Sequence, residues 1–316
     1  MQAAGLVVSA SGDETLRVWR LADGVCLRTL TGHSGGVRAV VDVGGGCVAS
    51  GGDDCVLRVW DVLSGKQLQQ TPTGDWEISC AAVLWGDRVV TGHNEHGDIQ
   101  LWSLGSGGVA AGVLQGHTDD VLSLAVVGGG TAQRLLASGS DDDSVRLWDV
   151  DAGTCTAVLS GHMDSVRCLA DLGGGRLLSG SDDGSLRVWN TATGACLAVV
   201  QNAHGAGQGG RINAACVLPD GAATGSGGGS VQRWKWDEGA SALTPDGAAL
   251  RLGGGAVWSL AAAPGPDGAL QLLAGSRDGS LRVLGNGAGG ALQQQAELVG
   301  HSSGVRAVAV MMTMVG

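Results

Sequence analysis

A serine, a histidine and an aspartate can together form a nucleophile, a base and an orienting carboxylate, and this chain repeats that trio at a fixed register. His33, Ser50 and Asp54 come with Trp60; His117, Ser138 and Asp142 with Trp148; His162, Ser179 and Asp183 with Trp189. A fourth set takes His301 from one end of the chain and Ser9, Asp13 and Trp19 from the other. Acyl transfer needs one such set beside a cleft and an oxyanion site. Four copies, each carrying an indole N–H, fit a structural hydrogen-bond network that ties turn, strand and tryptophan together. No catalytic residue is expected.

Other tempting groups also reduce to structure. His93-Asn94-Glu95-His96 could offer donors to zinc, but no further Cys or His joins it at ligand spacing, so a solvated turn is expected and no metal site. Gly205, Gly207 and Gly210 echo a dinucleotide fingerprint, which has mechanical meaning only where a helix begins. The following Arg211-Ile212-Asn213 reads as the start of a strand, so a loop is expected and no cofactor. Cys26, Cys155 and Cys196 hold the same place in three copies of one repeat, which separates them; with the other five they are expected as reduced thiols of an intracellular protein, cytoplasmic or nuclear.

Composition narrows the classes of partner. A net charge of -11 and a pI near 4.9 argue against a surface built to neutralise nucleic acid, and no uncharged apolar stretch is long enough to cross a membrane as a helix. Acidic residues fall singly or in pairs in turns, as in Asp53-Asp54 and Asp182-Asp183. Phe and Tyr are absent, so Val, Leu, Ala and ten Trp must supply the core.

The elements that must position these residues recur with a long period. Gly32-His33 and Gly161-His162 open stretches that align without a gap, and further copies follow Gly116-His117 and Gly300-His301. Each copy divides into four short β-type segments separated by Gly, Asp and Ser clusters, a four-stranded antiparallel meander. The third-strand anchors are Trp19, Trp60, Trp102, Trp148, Trp189, Trp234 and Leu284. Seven anchors predict seven blades, an all-β, seven-bladed β-propeller occupying residues 1–316 as one domain. The first blade lacks its opening strand, and residues 304–311, which match such a strand, are predicted to supply it from the C-terminus.

The Gly-His pairs, the turns of Ser-Gly-Ser-Asp type and the Trp-Asp endings resemble the WD-repeat family over the whole chain, and the short blades are similar to those of F-box and zinc-finger WD-repeat proteins. That resemblance implies an interaction scaffold, without enzymatic activity, that binds a protein or peptide on the propeller rim as part of a larger protein or complex. It also raises a substrate-receptor role in ubiquitin ligation, and leaves an enzyme using the central mouth as a pocket as the rival. Carried over position by position, the rim comprises Arg306, Arg38, Ser79, Leu122, Arg167, Asn213 and Trp258, with Asp53, Asp141, Asp182 and Arg277. Arg38, Arg167 and Arg306 are the expected contacts for an acidic or phosphorylated motif. The third, sixth and seventh blades depart from the pattern, with Thr73-Gly74-Asp75 for Gly-His, Gly228 for Asp, and Ala274 and Leu284 for Ser and Trp, and are expected to be looser.

Overall fold

The computed structural model describes residues 5–95, 97–128, 135–265, 268–287 and 290–311. The chain enters the ring at blade 1 with β1 (Leu6–Ser11), β2 (Leu16–Arg20) and β3 (Val25–Leu30). Blade 2 is β4 (Val37–Gly44), β5 (Cys47–Gly52), β6 (Val56–Asp61) and β7 (Gln67–Pro72). Blade 3 is β8 (Ile78–Val83), β9 (Arg88–His93), β10 (Ile99–Ser103) and β11 (Val109–Leu114). Blade 4 is β12 (Val121–Val127), β13 (Leu135–Ser140), β14 (Val145–Asp149) and β15 (Thr154–Leu159). Blade 5 is β16 (Val166–Gly173), β17 (Arg176–Ser181), β18 (Leu186–Asn190) and β19 (Cys196–Val200). Blade 6 is β20 (Ile212–Leu218), β21 (Gly221–Ser226), β22 (Ser230–Asp237), β23 (Ala242–Pro245) and β24 (Leu250–Arg251). Blade 7 is β25 (Val257–Pro264), β26 (Leu270–Ser276), β27 (Leu281–Asn286) and β28 (Leu292–Leu298), after which β29 (Val305–Met311) returns to blade 1.

All neighbouring strands are antiparallel, and the opening strand of each blade lines the axis. Closure follows the sequence expectation: β29 pairs with β1 from Leu6↔Met311 to Ala10↔Ala307, so the first and last strands share one sheet. Blade 6 departs from the four-strand rule. Its outer strand is split, β23 pairing with the far half of β22 and β24 with Ser230 and Val231. Pro245 has no N–H to continue the ladder, and Gly247 turns the chain at φ 79°.

The core is a set of wedges between blades. One cluster joins Val8 and Leu16 of blade 1 to Val37, Val48 and Trp60 of blade 2. The same arrangement continues around the ring to the wedge that packs Leu273 and Leu281 of blade 7 against Val7 and Trp19 of blade 1. A blade alone would therefore leave both faces open to water, which is why the repeat must close. Glycine at the end of the second strand sets the spacing. A Cβ on Gly275 would lie 2.7 Å from Val305 Cγ1, and one on Gly180 would lie 2.6 Å from Ile212 Cγ2 in the next blade. Among the described residues no helix is long and apolar enough to cross a membrane, and all eight cysteines are free.

Candidate functional site

The four Ser-His-Asp-Trp sets are assembled as relays. In blade 5, Trp189 Nε1 donates to Ser179 Oγ at 2.8 Å, Ser179 meets His162 Nε2 at 2.7 Å, and His162 Nδ1 lies 3.0 Å from Asp183. Because the indole can only donate, the serine oxygen accepts from it and donates its own O–H to Nε2, which leaves Nδ1–H to donate to the carboxylate. The same path runs from Trp60 through Ser50 and His33 to Asp54, and from Trp148 through Ser138 and His117 to Asp142. In blade 1 it crosses the closure, Trp19 to Ser9 to His301 to Asp13. Burial pushes these aspartates upward, but hydrogen bonds from the histidine and from the neighbouring Thr15, Ser144 or Ser185 outweigh it, so Asp13, Asp142 and Asp183 stay below the usual carboxylate range. Ser9, Ser50, Ser138 and Ser179 are fully buried and already bonded on both sides, which suits a clamp and leaves no room for a substrate.

Blades 3 and 6 carry equivalents that differ in origin. His93 is not in a solvated turn: it ends β9, is fully buried, and its Nε2 lies 2.8 Å from Thr91 Oγ1, which also accepts from Trp102 Nε1. Supplied from the second strand, this ring occupies the space left by the missing Gly-His pair, and Trp76 packs edge-on against it with centroids 5.8 Å apart. His96 lies outside the described residues. In blade 6, His204 bridges Thr224 at 2.8 Å and Ser230 at 2.7 Å, with Trp234 donating to Thr224; burial pulls this imidazole down to about 4. The glycines after it form a loop ending in one 3-10 turn before β20, as expected. Blade 7 has no His and has Leu284 in place of the third-strand Trp; buried Arg282 instead binds Ser276, Asp278 and Glu297.

At the end of the axis nearest the turns that carry these aspartates, the chain forms a mouth of about 560 Å³. All seven positions taken as one set from the sequence line it: Arg38, Ser79, Leu122, Arg167, Asn213, Trp258 and Arg306. Their convergence has a local cause. Each is the extra residue of a β-bulge, skipped where the opening strand pairs with the second strand, as between Val166 and Cys168 or between Val305 and Ala307. The extra residue is left out of the ladder and turned toward the axis. Arg211 and Arg277 also line it, with Gly209, Gly227 and Ala256.

Charges in the mouth are unevenly matched. Arg38 pairs with Asp53 and, at 3.4 Å, with Glu77. Arg167 Nε donates to Asp182 at 2.7 Å, and Arg211 reaches the same carboxylate at 3.8 Å. Asp141 has a buried oxygen without a partner, and burial followed by Asp120 and Asp119 pushes its pKa up. Arg306 stacks over Trp258 at 5.3 Å. Arg211, which comes from the loop before β20, and the choice of carboxylate made by each arginine were not foreseen from sequence.

Comparisons with known proteins agree with this architecture. Residues 24–61, 108–149, 153–190 and 250–283 match the WD domain, G-beta repeat. The chain is similar to nuclear distribution protein PAC1-2 of Uncinocarpus reesii, 33% identical over 177 residues, covering 48% of this chain and 37% of that protein. It is also similar to sterol regulatory element-binding protein cleavage-activating protein of Xenopus laevis, 37% identical over 109 residues, covering 32% of this chain and 8% of the other. The chain thus spans well under two thirds of the length of these relatives. Among solved structures it resembles that of U3-55K, with a TM-score of 0.74 at 24% identity, covering 87% of this chain and 89% of that one.

Proposed function

We propose that this WD-repeat β-propeller is an interaction scaffold whose central mouth docks a segment of a partner protein. The observation that carries the reading is the convergence of seven bulge residues, three arginines and a tryptophan among them, on one concave opening. Arg and Trp combine large contact area with directional bonding and dominate the energetics of protein interfaces. Seven rigid sheets hold them in place, so little conformational freedom is lost on binding.

The Ser-His-Asp sets are clamps whose serine hydroxyls are fully buried, so the chain is assigned no reaction. The partner is a protein or peptide rather than nucleic acid or membrane, in keeping with the net charge of -11, and the free thiols suit an intracellular compartment. Function as a substrate receptor in ubiquitin ligation, after the F-box and zinc-finger WD-repeat proteins, is the refinement to examine once partners are in hand.

The test is site-specific photo-cross-linking in the native cell. A cross-linking residue replacing Leu122 or Asn213 in the mouth should trap partners that the same residue at exposed Leu63, in the turn on the opposite rim, does not. Identical patterns from all three positions would remove the reading.

A further inference from the structure

Among the described residues the mouth pairs off most of its cations and leaves two of them without an ion pair, and the reason is written in the turn between the second and third strands. Blades 2 and 5 place Asp53 and Asp182 there, each within reach of the bulge arginine of its own blade, Arg38 or Arg167. Blade 1 has Gly12 at that position and blade 7 has Arg277. Arg306 therefore meets no carboxylate of its own, and a Cβ on Gly12 would lie 3.4 Å from Arg306 Nε, the place where blades 2 and 5 supply an acid. Among the described residues neither Arg306 nor Arg277 has an ion pair, and Arg306 Nε is buried with no hydrogen-bond partner. Burial, and after it the neighbouring Arg38, lower the pKa of Arg306 by more than Asp53 and Glu77, which pair with Arg38, raise it.

Resting on the reading of the mouth as a docking site, we propose that Arg306, Arg277 and Trp258 form the seat for a single oxyanion, phosphate monoester or carboxylate, on a peptide side chain with neutral or basic flanks. A guanidinium fork matches either oxyanion, and the indole beneath Arg306 holds the fork in place. The flanks follow from the rest of the rim. Asp119, Asp120 and Asp141 bring carboxylate oxygens within 4.8 Å of one another on blade 4, as far around the ring from blades 1 and 7 as any blade lies. Such a rim attracts a basic flank and repels a run of phosphates, so a nucleic acid strand is disfavoured while one isolated anion is accepted.

The test uses the full chain and fluorescent nonapeptide pools, read by anisotropy at low and physiological salt. The central residue is fixed as phosphoserine, glutamate, serine or lysine between randomised neutral flanks, and further phosphoserine pools carry lysine or glutamate flanks. The phosphoserine or the glutamate pool should bind at least about tenfold tighter than the serine pool, the difference between the two identifying the oxyanion, and lysine flanks should strengthen binding. Arg277→Gln, at an exposed position, and Gly12→Asp, which reproduces the pairing of blades 2 and 5, should each abolish that preference; a Cβ at position 12 lies 2.8 Å from the exposed Ser303 hydroxyl, which must turn aside, so circular dichroism checks that Gly12→Asp keeps its fold. Arg167→Gln removes a mouth arginine already paired with Asp182, so it should weaken every pool alike and keep the ratio between them.

Equal binding of all pools, a preference that survives Gly12→Asp, equal loss of that preference in Arg167→Gln, or tighter binding of a single-stranded oligonucleotide than of the phosphoserine pool would each overturn the proposal. If mouth positions still cross-link a partner while the pools show no anion preference, this inference alone fails; if they cross-link nothing, the docking reading fails first.

Discussion

Replacing Ser179 by alanine takes one oxygen out of blade 5 and strands two groups at once. Trp189 Nε1–H loses its acceptor at 2.8 Å, and His162 Nε2 loses its donor at 2.7 Å. All three residues are at least nine-tenths buried, so water does not replace the hydroxyl without repacking. An unsatisfied buried polar group costs about 1–3 kcal/mol. Two of them, relaxing together, should cost about 3 kcal/mol, more than the roughly 1 kcal/mol net value of an ordinary hydrogen bond. The assay is equilibrium urea unfolding near neutral pH, followed by tryptophan fluorescence and by circular dichroism. Adding Trp189→Phe removes the stranded N–H, so the double variant should lose less than the sum of the two single losses. A loss below about 0.5 kcal/mol for Ser179→Ala, or strict additivity in the double-mutant cycle, would refute the clamp.

Two other perturbations probe different parts of the ring. A Cβ on Gly275 would come within 2.3 Å of Ser259 Oγ and 3.0 Å of the Val305 carbonyl oxygen, so Gly275→Ala should cost about 2 kcal/mol by thermal unfolding, and an unchanged melting temperature would contradict the close approach of blade 7 to the closing strand. Burial pulls His204 from 6.5 to about 4, so its neutral form stabilises the fold in full above pH 6.5, and that contribution, up to about 3 kcal/mol, is lost as pH falls toward 4. His204→Gln should flatten stability against pH in that window; parallel curves for the two proteins would contradict it.

Much of this was legible in the sequence because a repeat carries the same instruction several times. The anchors from Trp19 to Leu284 mark the third strand of every blade, and the seven residues after the opening Val or Ile were placed on one mouth by register alone. What escaped were changes of supplier. His93 reaches its clamp from β9, and His204 follows alanine and binds Thr224 and Ser230 where serine and aspartate are usual. A hydroxyl ten or eleven residues before the tryptophan, Thr224 before Trp234 and Thr91 before Trp102, was the available signal. Ion pairing in the mouth was less accessible. Composition gives Arg38, Arg167 and Arg306 equal standing, and only the geometry separates the arginines that already hold an aspartate from the one facing Gly12.

Arg306 belongs to the mouth only because β29 completes the sheet of β1. Amide hydrogen exchange of the intact chain, read over residues 6–11, 305–311 and 176–181, tests that pairing without any substitution. Segments 6–11 and 305–311 should exchange together and as slowly as 176–181 in blade 5. Exchange of either terminal segment within seconds, while 176–181 stays protected, would contradict the closed ring and the mouth built on it.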